Sequence, residues 1–160
     1  MSLKPFHYHC RETVSFEYFN ENRPCSPEIV AEALRKIYED YSDYYVYLGI
    51  TENPCGRFSG NYMVNALPFD IRLEVPISLY DAIMLDERSH SEDYEKMFVI
   101  CYAENEKDIR DMEAKAIKSG EGIDSDRTLN LTLGRNGNVK PGRNFYFLYA
   151  CITLTIPLED

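Results

Sequence analysis

The chain of 160 residues has no tryptophan, three histidines and no Cys-x-x-Cys pair. Each shortage removes a class of reading. Without paired thiols or clustered imidazoles, a structural zinc site has little to be built from. The five cysteines, Cys10, Cys25, Cys55, Cys101 and Cys151, are odd in number and widely scattered, which predicts reduced thiols rather than a disulfide framework. His7, His9 and Cys10 lie close together. In an extended segment, however, the two imidazoles share one face and the thiol takes the other, and no second ligand pair follows. His90 falls in a polar loop, where a solvated imidazole is the expectation. No apolar run is long enough to span a bilayer, and Met1-Ser2-Leu3-Lys4-Pro5 lacks a signal core. The expectation is an intracellular protein without a membrane partner, cytoplasmic or, in a eukaryotic or viral setting, nuclear.

Positive charge is also scarce. Lys and Arg total 17 against 27 Asp and Glu, a formal net charge of −10. That balance argues against a broadly basic nucleic-acid surface. The distribution is uneven, though. Acid concentrates between Asp86 and Asp111, whereas from Arg127 to Leu158 there is none, and Arg127, Arg135, Lys140 and Arg143 fall in that window. Local charge governs a site more than the whole-chain sum.

What is present is tyrosine, 13 of them, in a chain that is 44% hydrophobic and free of low-complexity tracts. Such a chain can bury one sizeable core, so a single domain over 1–160 is expected. The organising stretch runs from Tyr44 to Phe58. Val46, Leu48 and Ile50 alternate with Tyr45, Tyr47, Gly49 and Thr51, which predicts a strand with one aliphatic face and one carrying two phenols and a glycine that leaves room beside them. Asn53-Pro54 then signals a helix start, and Arg57 falls in its first turns.

Around that stretch the pattern is mixed. Residues 6–19 alternate and predict a strand. Ser26-Pro27 opens an amphipathic helix with its stripe at Ile29, Val30, Ala33, Leu34, Ile37, Tyr38 and Tyr41. Residues 69–75 read as a half-buried strand ended by Pro76, and Ser78 as the cap of a short helix. Residues 97–103 are apolar on both faces, as in a strand inside a sheet. Asn105 caps a helix expected to end near Lys118, closed by Gly120, with a polar loop over 119–128. Glu113 lies on the inward stripe of that helix with Ile109, Met112, Ala116 and Ile117. An inward carboxylate requires a hydrogen bond, a counter-charge or a metal. Periodicity alone leaves a structural pair with an arginine and a functional role equally open. Thr128 to Gly134 alternates briefly, residues 135–143 form a basic Gly/Asn-rich loop, and 145–156 predict a final strand.

These residues carry a resemblance. Tyr47-Leu48-Gly49, Thr51, Asn53-Pro54 and Arg57-Phe58 are similar to the second half-motif and first helix of the GIY-YIG nucleases. Asp111 to Ile117 resembles the family's helix with its metal-binding glutamate, here Glu113, and Leu129-Asn130-Leu131-Thr132 with Gly134 and Gly137 resembles the segment that follows. The family's first half-motif, a strand ending Gly-Ile-Tyr, is not visible ahead of Tyr44. Tyr45, or Tyr146 from the terminal strand in a rearranged order of elements, is a conceivable substitute.

The resemblance implies an α+β fold, a small mostly antiparallel sheet flanked by helices, with 1–43 as an N-terminal strand–helix extension and 63–96 as an insertion. It implies hydrolysis of phosphodiester bonds in nucleic acid, taken as DNA. Glu113 would hold Mg²⁺ or Mn²⁺, Arg57 the phosphate, and Tyr47 the attacking water with help from Tyr45 or Tyr146. Asn130 would support the site, and Arg135, Lys140 and Arg143 would meet the nucleic-acid backbone. The alternative is a member of the same fold that has lost catalysis and serves as a binding or regulatory module.

Overall fold

The computed structural model describes residues 14–19, 24–52, 54–59, 93–133, 139 and 145–157. Four strands form one sheet in the order β1 (Val14–Ser15), β3 (Lys96–Ala103), β4 (Tyr146–Thr153), β2 (Tyr45–Thr51). β1 runs parallel to β3; β3–β4 and β4–β2 are antiparallel. The helices are α1 (Pro27–Asp40), α2 (Pro54–Ser59), α3 (Glu106–Asp124) and α4 (Leu129–Leu133), with a 3₁₀ turn, Ser125–Arg127, between the last two. This is an α+β fold with a mixed, mostly antiparallel sheet packed against helices. No helix among the described residues is long and apolar enough to cross a membrane.

Strand alternation divides the core. Val46, Leu48 and Ile50 of β2 join Tyr146, Leu148, Ala150 and Ile152 of β4 on a face covered by the apolar stripes of α1 and α3. The opposite face carries Tyr47, Val99, Phe147, Tyr149 and Cys151, with Phe58 of α2, Leu129 of α4 and Tyr94 packed among them. The two are called here the helical face and the tyrosine face. One irregularity breaks the alternation. The β3–β4 register shifts between Val99, opposite Tyr149, and Cys101, opposite Leu148. This bulge at Ile100 turns both Ile100 and Cys101 toward the helical face.

Helix α1 forms as its sequence dictates. Ser26 accepts a hydrogen bond from the Ile29 N–H at 3.3 Å, Pro27 occupies the first turn, and Ile29, Val30, Ala33, Leu34, Ile37 and Tyr38 are buried. In α3, Asn105 Oδ1 accepts from the Asp108 N–H at 2.8 Å. That helix does not stop at Gly120, as predicted, but continues to Asp124, so 119–128 is helix and 3₁₀ turn rather than loop. Gly120 serves spacing instead of termination. A Cβ there would lie 2.6 Å from the Tyr38 hydroxyl and 3.1 Å from Thr128 Oγ1. The short alternating stretch after Thr128 is likewise a helical turn, and only Thr128 itself bridges to a strand, at Val46.

Arg127, counted above among the basic residues of the C-terminal third, is structural. Its guanidinium donates to the carbonyls of Tyr38, Tyr41 and Tyr44, each at 3.1 Å, and to Asp124 at 2.8 Å. It thereby satisfies the Tyr38 carbonyl at the end of α1 and ties down the turn that leads from Tyr41 to Tyr44.

The cysteines depart from expectation too. Cys25, just ahead of α1, is disulfide-bonded to Cys101 of β3, with Cα atoms 5.2 Å apart. Scattered spacing could not reveal this pair, because 76 residues separate the two in sequence. Cys151 is a buried free thiol. The predicted strand over 69–75, the helix begun by Ser78, His7, His9, Cys10 and His90 lie outside the described residues, as does most of the predicted strand over 6–19.

Candidate functional site

The tyrosine face takes its character from β2 and β4. Both strands are buried almost throughout, and their side chains are sorted by parity. In register, Tyr47 faces Cys151 and Gly49 faces Tyr149. The glycine is required there. A Cβ on residue 49 would fall 2.5 Å from Cζ and 2.9 Å from Cε1 of Tyr149, so the phenol lies in the space a side chain would fill. Tyr47 stacks on Tyr94 with ring centroids 5.7 Å apart.

Four side chains act electrostatically on Tyr149. Burial pushes its phenol well above the usual tyrosine range; Tyr47, Cys151 and Glu113 push it the same way, and Arg57 opposes them. The charges of residues 57 and 113, which come from different helices, therefore both act on one phenolic oxygen. Cys151 is affected similarly, with burial raising its thiol and Arg57 opposing. Glu113 is 5% exposed, Tyr47 5% and Tyr149 1%, whereas Arg57 is half-buried. A phenol that holds its proton this firmly is a hydrogen-bond donor at neutral pH.

Asn130 acts differently from a group aimed at a ligand. Its Oδ1 accepts from the Leu48 N–H at 2.8 Å, and its Nδ2 donates to the Leu48 carbonyl at 2.7 Å. Among the described residues β2 is an edge strand, and this amide substitutes for a neighbouring strand at its centre. The Tyr47-Leu48-Gly49 backbone is thus held between β4 on one side and α4 on the other.

Tyr47, Arg57 and Glu113 all bear electrostatically on Tyr149, and Asn130 bonds the β2 backbone. Tyr45 packs at the margin of the tyrosine face. Tyr146 lies on the helical face, so β4 supplies its phenol to the site from Tyr149, not from Tyr146. Parity carried the missed signal. Tyr146, Leu148, Ala150 and Ile152 are the aliphatic-rich parity that suits helices, and Phe147, Tyr149 and Cys151 match the Tyr47 face. Glu52, 7% exposed, and Thr51 are buried polar residues at the end of β2 that sequence reasoning also passed over. Arg135, Lys140 and Arg143 lie outside the described residues. Among the described residues no group of three or more His, Cys, Asp or Glu side chains could hold a metal ion. A single buried carboxylate is still compatible with Mg²⁺, which keeps several waters and takes one or two carboxylates with substrate phosphates. Comparison with protein-family models, with curated proteins and with solved structures found no match.

Proposed function

We propose that the protein is a divalent-metal-dependent nuclease of GIY-YIG type, hydrolysing phosphodiester bonds in nucleic acid, with DNA the favoured substrate. The observation that carries this reading is the Tyr149 phenol seated against Gly49 of β2, with Tyr47, Arg57 and Glu113 from separate parts of the chain all bearing on it electrostatically. The position of β4 supports it. β4 lies antiparallel beside β2, with a tyrosine directly opposite Gly49. That supplies, from the far end of the sequence, the phenol-bearing strand missing ahead of Tyr44.

Roles follow from chemistry. Arg57 binds the scissile phosphate through paired N–H donors and offsets charge that develops on it. Tyr149 keeps its proton and donates a hydrogen bond to a phosphoryl oxygen or to the attacking water. Tyr47, fixed by Tyr94 and by the β2 backbone, orients that water. Glu113 would hold Mg²⁺ or Mn²⁺; when bound, the ion supplies Lewis-acid stabilisation of the leaving oxygen. Asn130 keeps the Tyr47 backbone in register. Arg135, Lys140 and Arg143 would contact the nucleic-acid backbone.

A second reading is favoured by the low exposure of Glu113, Tyr47 and Tyr149. On that view the same groups form an internal polar cluster in a catalytically silent binding or regulatory module, or a structural pair of Arg57 with Glu113. Supercoiled DNA incubated with the protein and Mg²⁺ or Mn²⁺, or with chelator, separates the two. Metal-dependent nicking that falls at least about 100-fold in Arg57→Ala and Glu113→Gln, with unchanged circular dichroism, is the expected outcome. Salt-sensitive binding without nicking supports the module. Loss of fold in Glu113→Gln without any nicking by the parent protein supports the structural pair.

A further inference from the structure

The Cys25–Cys101 bond lies at the one place where the register of the central strands slips. Without the bulge at Ile100, strand alternation would send Cys101 to the tyrosine face along with Val99. The bulge instead turns it to the helical face, where Cys25 meets it. The slip follows directly on the Val99–Tyr149 pair, so Tyr149, which the β2–β4 register seats over Gly49, is the β4 residue flanking the bulge. A bulge bends its strand and re-aims neighbouring side chains, and it disrupts the ladder locally. Something must hold it. Here a covalent bond does, reinforced by the Cys25 N–H donating to the Tyr102 carbonyl at 2.6 Å.

The bond is also approachable from one side. Cys101 is fully buried, whereas Cys25 is half-buried and lines a cleft of 330 Å³ with Pro24, Ala103, Glu104, Asp108 and Lys115. Of the two cysteines, only Cys25 borders that cleft, so it is the partner a thiolate would approach.

We infer that the Cys25–Cys101 disulfide is a reducible positioning device: it pins the Ile100 bulge beside the Val99–Tyr149 pair and thereby steadies Tyr149 from the β3 side, and a dithiol reductant acting through the cleft at Cys25 releases it. The exchange balances. One thiolate of the dithiol attacks Cys25 Sγ and forms a mixed disulfide; Cys101 leaves as thiolate and takes a proton; the second thiol of the reductant then displaces Cys25, which is protonated in turn. Two electrons and two protons pass to the cysteine pair, and the dithiol becomes a disulfide. Only the link to catalysis rests on the nuclease reading. The movement of Tyr149 can be read without substrate.

The test starts from protein purified without reductant. Intact-mass analysis after alkylation is expected to find Cys25 and Cys101 protected, and both labelled after dithiothreitol. Amide exchange at Ile100–Tyr102 and Leu148–Tyr149 should then rise at least about tenfold, while Met112–Ala116 of α3 stays unchanged. The ring resonance of Tyr149, assigned through Tyr149→Phe, should shift on reduction and return on reoxidation. Cys25→Ser should show the reduced-state shift permanently and ignore dithiothreitol. Nicking should fall on reduction and recover with the resonance. Full alkylation of both cysteines without reductant overturns the inference, and so does reduction that leaves the Tyr149 resonance in place. A Tyr149 shift in a protein that never nicks DNA leaves the positioning device standing and removes the nuclease.

Discussion

Tyr38 and Tyr149 each lay a phenol against a glycine, one on each face of the same sheet. Tyr38 meets Gly120 of α3, and Tyr149 meets Gly49 of β2. The difference lies in what surrounds the hydroxyl. Tyr38 Oη and Thr128 Oγ1 are 2.7 Å apart, and Thr128 donates its one proton to the Asp124 carbonyl at 2.9 Å, so the phenol is the donor of that pair. Arg127 lies over the Tyr38 ring at 5.1 Å, with its guanidinium committed to three carbonyls and Asp124. This is a closed network whose capacity goes into joining α1 to the end of α3. Around Tyr149 the neighbours are another phenol, a thiol and two opposite charges. A cationic and an anionic group set about one protonated phenol can also meet a ligand. Similar tyrosine–glycine packing thus has different polar surroundings on the two faces: a joint on one and, under the proposed function, a site on the other.

The arginines offer the largest test of that contrast. Arg127→Ala is expected to destabilise the fold by about 2–3 kcal/mol, since three carbonyls lose charged donors, while nicking per folded molecule is unchanged. Arg57→Ala should do the reverse, lowering nicking at least about 100-fold with a small change in urea midpoint. Equal stability losses in both would make the tyrosine face a second joint.

The glycines give the next effect. Gly49→Ala overlaps several atoms of the Tyr149 ring, and a loss of about 1–3 kcal/mol is expected. Gly120→Ala presses chiefly on the far end of Tyr38 and gains helix propensity of about 1 kcal/mol, so its net change should be smaller. Combining Gly49→Ala with Tyr149→Ala should recover most of the first loss. Strict additivity in that cycle would show that the overlap is not the cause.

The smallest effect is alkaline. Burial pushes the Tyr38 phenol up to about 12 and the Tyr149 phenol well above the usual range. A phenol whose folded value exceeds its unfolded value of about 10 contributes stability in full below that pH and loses it as pH rises through the folded value. Urea midpoints should be level up to about pH 10 and decline above it. Tyr38→Phe and Tyr149→Phe should each flatten the decline. A slope unchanged by either would place the responsible groups elsewhere.

Much of the fold was legible because burial imposes periodicity. The stripe from Ile29 to Tyr38, the alternation of β2 and the doubly apolar run in β3 are readable from the chain since helices and strands repeat at fixed intervals. Glu113 stood out for the same reason, as a carboxylate on an apolar stripe. The end of α3 was misread because glycine is both a helix terminator and the residue that lets two elements approach closely. Arg127 looked like free basic charge because the carbonyls it satisfies belong to residues 38–44. Tyr149 was passed over because both parities of β4 are buried, and only the contrast between its aliphatic-rich and aromatic parities hints at which one faces Gly49.

By itself the sequence determined α1, β2, β3, β4 and the start of α3, the aliphatic and phenolic faces of β2, and the inward carboxylate, since each depends on neighbours within a few residues. Tertiary structure alone decided that β4 lies beside β2, that Tyr149 sits opposite Gly49, and that Cys25 reaches Cys101. Those are pairings between residues dozens of positions apart, and strand register, which no local pattern encodes, fixes which side chains meet.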